Sequence, residues 1–198
     1  MSRLSFQTAL DRLLVPVGFE RHGRDWIRRS GGFEDVVNLQ VSQNLGSTAN
    51  IYFKDLTSAA ILDEAMRGLK LTWMAYPVNL RIGALVDPHF REWWRADTGG
   101  PTAMSEAVRA YALPFFESMR SLETQALRYG RAYIGRRRFR LSTVEFYLAI
   151  TLYRMGEAAE ACGALATPPK HSDALTNQHI EAVRRRLGCK ELGGLPTS

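Results

Sequence analysis

The residues best suited to chemistry in this chain are cationic or aromatic. Arg136, Arg137, Arg138 and Arg140 enclose Phe139, with Tyr133 just before them. Guanidinium groups with an interleaved ring would hold phosphates and stack on a base, which is the chemistry of single-stranded nucleic-acid binding. The plainer reading of the same run is a solvated connector between two helices. Arg81 joins Asn38 and Gln40 as polar residues on strands of alternating pattern, a candidate contact patch or an ordinary solvated sheet face. Trp93 and Trp94 are adjacent, and neighbours on a helix lie about 100° apart. One indole therefore enters the core while the other caps its edge, or stands out as an anchor for a partner, since tryptophan and arginine dominate hot spots. If Arg81 is partly covered it needs a carboxylate, and Asp87 and Glu92 stand near it in the chain.

Catalysis would need a nucleophile with its base, paired carboxylates in a cleft, or a phosphate loop. No GxSxG, Walker loop, dinucleotide glycine pattern or HExxH occurs. The acidic pairs Glu34-Asp35 and Asp63-Glu64 are adjacent residues whose side chains project apart, and both read as solvated surface. His22, His89, His171 and His179 are scattered, and the last two are too far apart for an i, i+4 ligand pair. Cys162 and Cys189 lack CxxC or Cys/His spacing and read as free buried thiols, a disulfide being open to them in an oxidising compartment. The expectation is no catalytic residue, no cofactor and no metal. An enzyme whose site is dispersed in sequence is the remaining catalytic alternative.

Charge limits the choice of partner only weakly. The net charge is +6; residues 1–133 carry 16 Lys/Arg against 14 Asp/Glu, and residues 134–198 carry 10 against 6. Arginine forks suit phosphates and carboxylates alike. The 45% hydrophobic and 23% charged fractions are those of an ordinary globular protein, and 198 residues suffice for one large domain or a domain with an appendix. The run Leu69 to Val78 is too short to span a bilayer, and the N-terminal residues show no continuous apolar segment of a signal peptide. A cytoplasmic protein without membrane contact is expected.

The elements that would position these residues follow from periodicity. Phe6, Leu10, Leu13 and Leu14 predict a helix capped by Ser5 and ended by Pro16 and Gly18. Phe19 to His22 and Trp26 to Arg29 predict short strands, and Gly31-Gly32 a turn. Asp35 to Gln43 alternates, with Val37, Leu39 and Val41 on one face and Asn38, Gln40 and Ser42 on the other. Ala49, Ile51 and Phe53 alternate with Asn50 and Tyr52. Ser58 to Leu69 has helical spacing, and Asn79 to Leu85 reads as a strand turning at Asp87-Pro88. From Thr102 to about Tyr133 the pattern is helical, with Pro114 starting a new helix or kinking a long one. Ser142-Thr143-Val144-Glu145 matches a capping box, and helices to about Met155, from Glu157 to Ala166 and from Asp173 to Leu187 follow.

GFERHG followed by DWIRR, then VVNLQVS, then LRIGAL ahead of EWW, then ALPFFE, resembles the bacterial family numbered 4304 among the domains of unknown function, over roughly residues 4–130. The chain departs from that pattern at Tyr52-Phe53-Lys54, where a small glycine turn would end the strand. The resemblance implies an α+β fold and no established activity; similar small bacterial domains occur among immunity proteins that neutralise toxins. Leu148, Ala149, Leu152, Gly156, Ala161 and Leu165 fall at the spacing of a single tetratricopeptide-like helix pair, which would pack against the domain before it.

These readings converge on an α+β domain over residues 1–133, with a twisted antiparallel sheet of four or five strands covered on one face by helices. A helical extension over 134–190 packs on it, and 191–198 fray. The expected function is non-enzymatic protein binding, an acidic partner suiting the arginine-rich surface, with toxin neutralisation as the family analogy. Nucleic-acid binding through Arg136 to Arg140 is the rival.

Overall fold

The computed structural model describes residues 4–69, 76–86, 93–96, 99–130, 143–166 and 174–189. The chain divides into two compact units, Met1–Asp55 with Val78–Met119, and Leu56–Pro77 with Arg120–Ser198. The fold is α+β.

The first unit is built on a meander. Helix α1 (Phe6–Leu14) starts at Ser5, whose Oγ accepts the Thr8 amide at 3.1 Å. It passes through a 3₁₀ turn at Val15–Val17 and stops at Gly18, where φ is +90°. Strands β1 (Glu20–His22), β2 (Asp25–Ser30), β3 (Phe33–Ser42), β4 (Gly46–Asp55) and β5 (Val78–Arg81) then pair antiparallel in sequence order. β4 runs straight through Tyr52-Phe53-Lys54 and stays in register with β3 to the Phe33–Asp55 pair.

Alternation sets the two faces of this sheet. Trp26, Val37, Leu39, Ala49, Ile51 and Phe53 share one face, and all six are buried. Helices line that side. Trp26 Nε1 donates to Asp11 of α1 at 2.9 Å, and Phe19 meets Phe116 with ring centroids 6.0 Å apart. Phe116 belongs to a continuous helical run, α4 (Gly100–Ala107), a π-helical turn (Val108–Ala112) and α5 (Leu113–Ser118). The expected kink at Pro114 takes the form of this widened turn, which accommodates a ring that would clash with the carbonyl one turn back. Each large apolar side chain fully buried here contributes about 1.5–3 kcal/mol.

One residue departs from the burial of its face, and two expectations need correction in this unit. Val41 lies on the core side yet is 48% exposed, because the sheet there borders an open groove lined by Ser5, Phe6, Leu39 and Val41 itself. The strand predicted over Asn79 to Leu85 ends at Arg81; after the Ile82 amide bonds the Ala49 carbonyl at 2.8 Å, Gly83–Val86 coil into a helical turn, α3. Glu34 and Asp35 are not solvated surface. They project to opposite faces as expected, but both are buried, Glu34 against Arg29 and Asp35 against Arg28.

The second unit is helical: α2 (Leu56–Ala65), α6 (Leu122–Tyr129), α7 (Thr143–Arg154), α8 (Ala158–Ala164) and α9 (Ala174–Arg186). The helical pattern expected to continue past Pro114 to about Tyr133 has a further break before α6, where Ser121 Oγ caps a new helix by accepting from the Thr124 amide. α7 is apolar around its circumference, with Phe146 to Ile150 and Leu152 buried, as a helix surrounded by others must be. α7 and α8 form a hairpin at Gly156, where φ is +85°, and Ala149, Leu152, Ala161 and Leu165 are buried in it. Arg154 Nη1 reaches Ser58 of α2 at 2.9 Å, and Arg186 of α9 clasps Glu64 of α2. Cys162 and Cys189 are joined, Cα to Cα 5.6 Å, so the reading as free thiols gives way to a disulfide between α8 and the end of α9. Ser142 of the capping box lies outside the described residues.

Candidate functional site

The second face of the sheet gathers three of the polar candidates. Register pairs Asp25 with Asn38, Asn38 with Asn50, and Asn50 with Arg81, so one cross-strand row spans β2, β3, β4 and β5. The row is hydrogen-bonded. Asn38 Nδ2 donates to Asp25 Oδ1 at 2.6 Å, and Asn50 Nδ2 donates to Asn38 Oδ1 and to Gln40 Oε1, each at 3.1 Å. Such side-chain networks fix rotamers that isolated surface amides would leave free. Gln40 and Arg81 are exposed, while Asn38, Asn50 and Tyr52 are half-buried.

The tryptophan pair is resolved by one bridge. Trp94 exchanges two backbone hydrogen bonds with Ser47, at 2.9 and 2.8 Å, and is 9% exposed. Trp93 projects the other way, and the Arg81 guanidinium sits 5.4 Å from its ring centroid. Trp94 is thus the core indole and Trp93 the one on the polar side. Thr48, in register with Gln40 on the same face, is fully buried, and its hydroxyl has no hydrogen-bond partner among the described residues.

Electrostatics reinforces the row. Burial, and second the charge of Asp25, hold the Tyr52 phenol above its ordinary pKa of 10.0. The face presents a phenol that is neutral near neutral pH, amide groups, and the charged side chains of Asp25, Arg29, Glu34, Lys54 and Arg81. That set can donate and accept hydrogen bonds and can stack. Among the described residues no group of three or more His, Cys, Asp or Glu is placed to hold a metal ion. No helix among them is long and apolar enough to cross a membrane.

Asn38, Gln40, Arg81 and Trp93 stand together, and Trp94 is set apart in the core. Arg136, Arg137, Arg138 and Arg140 lie outside the described residues, as do Asp87 and Glu92. Asp25, Asn50 and Tyr52 belong to the same surface and were not among the predicted site residues. Their signal was present as polar positions alternating with Trp26, Ile51 and Phe53, but only the hairpin register places them beside Asn38.

No curated protein and no solved structure matches the chain. A family does: residues 10–118, more than half of the 198, match the domain of unknown function DUF4304. That stretch contains the whole of the five-stranded sheet and every residue of the polar row, and the chain belongs to the DUF4304 family.

Proposed function

We propose that this chain is a non-enzymatic protein-binding domain whose contact surface is the polar face of the sheet, centred on Asn38, Gln40, Asn50, Arg81 and Trp93. One observation carries the reading. The row is already ordered by its own hydrogen bonds and ends in an arginine stacked on an indole. A surface ordered before binding loses less side-chain entropy when a partner arrives, and Arg and Trp are the residue types that concentrate binding energy. A toxin-neutralising role, by family analogy, is the specific form of this proposal, and an acidic partner suits the exposed guanidinium.

The test is quantitative affinity capture from the native host with wild type and an Arg81→Ala/Trp93→Ala variant shown to be folded. A protein captured by wild type and lost by the variant supports the reading, and rescue of growth when that protein is co-expressed supports neutralisation. Identical captures by both proteins, or recovery of nucleic acid alone, would overturn it.

A further inference from the structure

A second site is built within the helical unit, from residues other than those of the polar sheet face. An open groove of about 560 Å³ runs between the end of α2 and one stripe of α9. Gln178, Glu181, Ala182 and Arg185 line it at the i, i+3, i+4, i+7 spacing of a single helix face, with Asn177 beside them. Ala65, Arg67 and Leu69 form the opposite wall.

The arginines around this groove are not equivalent. Arg186 gives Nε and Nη2 to Glu64 at 3.1 and 2.9 Å, and Arg184 is turned inward, 3% exposed, 3.7 Å from Glu181. Arg67 and Arg185 are exposed and have no side-chain partner among the described residues. Two uncompensated guanidinium forks therefore border one concavity, against a single carboxylate, Glu181. Forks of this kind bind carboxylate and phosphate oxygens in pairs of charge-assisted hydrogen bonds. The volume falls within the roughly 300–1,000 Å³ typical of small-molecule sites, and Ala65, Leu69 and Ala182 give the wall an apolar part.

We infer that the groove between α2 and α9 binds a small molecule carrying a phosphate or carboxylate on an apolar body, its oxyanion held by Arg67 and Arg185. The apolar body lies against Leu69 and the two alanines, and Asn177 and Gln178 supply neutral donors. Glu181 opposes the anion and limits affinity.

Calorimetric titration of the full chain with phenyl phosphate, benzoate and inorganic phosphate tests this. Saturable binding of phenyl phosphate or benzoate, tighter than inorganic phosphate, is expected, and whichever of the two binds better identifies the oxyanion. Arg67→Gln and Arg185→Gln should each weaken it about tenfold or more, the loss of one charge-assisted contact. Arg185→Lys, which keeps the charge without the fork, should fall between, and Glu181→Gln should tighten binding. Arg109→Gln removes the same charge from an exposed position on the other unit and should change nothing. Absence of saturation with all three probes would overturn the inference. So would equal affinity for phosphate and phenyl phosphate, or equal losses in Arg109→Gln and Arg185→Gln.

Discussion

Arg28 and Asp35 face each other across β2 and β3 on the apolar side of the sheet, where charges are costly. Nε of Arg28 donates to Asp35 Oδ2 at 2.9 Å, Nη2 stands 2.8 Å from the same oxygen as an ion pair, and the carboxylate is fully buried. The same guanidinium reaches Glu117 at 2.7 Å and lies 4.9 Å over the ring of Phe19. The two long-range contacts tie β2 to α5 and to the segment after α1, so the pair fastens helices to the sheet as well as strand to strand.

Removing one partner of a buried pair costs about 3–5 kcal/mol; in Asp35→Ala the ion pair that Arg28 keeps with Glu117 sets the loss at the lower end of that range. Asp35→Ala is expected to lower stability by that amount in urea unfolding. Arg28→Met/Asp35→Leu, which removes both charges and keeps apolar volume, should cost far less. Equal losses in the single and double variants would show that packing, not charge burial, dominates at this position.

Tyr52 gives a pH-dependent prediction. Its phenol is held above pKa 10.0 by burial first and by Asp25 second. The unfolded chain thus releases this proton at lower pH than the folded one. The resulting stability is fully present below pH 10.0 and is lost as pH rises through the folded pKa. Unfolding midpoints measured from about pH 9 to about pH 11 should fall less steeply for Tyr52→Phe than for wild type. Asp25→Asn should bring the Tyr52 titration closer to its ordinary value, seen as phenolate absorbance at lower pH. An unchanged titration in Asp25→Asn would remove Asp25 as a cause.

The Cys162–Cys189 bridge closes a loop over a sequence separation of 27. Loop-closure entropy for a ring of that length corresponds to about 3–4 kcal/mol. Dithiothreitol should lower the unfolding midpoint by that equivalent, and Cys162→Ser/Cys189→Ser should be insensitive to the reductant and already at the lower value. In a reducing cytoplasm the pair would stand as thiols, whereas an oxidising compartment would keep the bond. If reduction leaves the midpoint unchanged, the helices of this unit are held by packing alone.

How much of this was legible in the amino-acid sequence depends on whether the signal was local. Val37, Leu39, Ala49, Ile51 and Phe53 were placed by alternation alone, because a half-buried strand imposes a period of two on its side chains. The same alternation carried β5 too far, since Leu80, Ile82 and Ala84 keep the period although the chain leaves the sheet after Arg81. Asp35 read as surface because an acidic residue is normally solvated, and its partner on the adjacent strand is visible only once the hairpin register is known. The disulfide joins residues with no diagnostic spacing. At the candidate site Asn38, Gln40 and Arg81 followed from the pattern, while Asp25 and Asn50 needed the pairing of four strands. The groove between α2 and α9 depends on two helices distant in sequence, and nothing local announces it.

The tryptophan pair supplies the last prediction, which separates core from surface at adjacent positions. Trp94, 9% exposed and bridged to Ser47, should cost about 3–5 kcal/mol on replacement by alanine, the range for a large buried aromatic. Trp93→Ala, at a half-buried position, removes a cation–π contact with Arg81 worth about 0.5–1 kcal/mol and should cost less than Trp94→Ala. Gly46 provides an independent probe of the same bridge. Its φ is +106°, and a Cβ there would stand 2.3 Å from the Trp94 carbonyl oxygen, a backbone atom that cannot swing aside. Gly46→Ala should therefore destabilise the fold and, through the shifted Trp94 backbone, quench the environment-sensitive tryptophan fluorescence difference between folded and unfolded protein. A neutral Gly46→Ala together with a neutral Trp94→Ala would mean that the bridge is absent in solution; a costly Trp93→Ala would place that indole, rather than its neighbour, in the core.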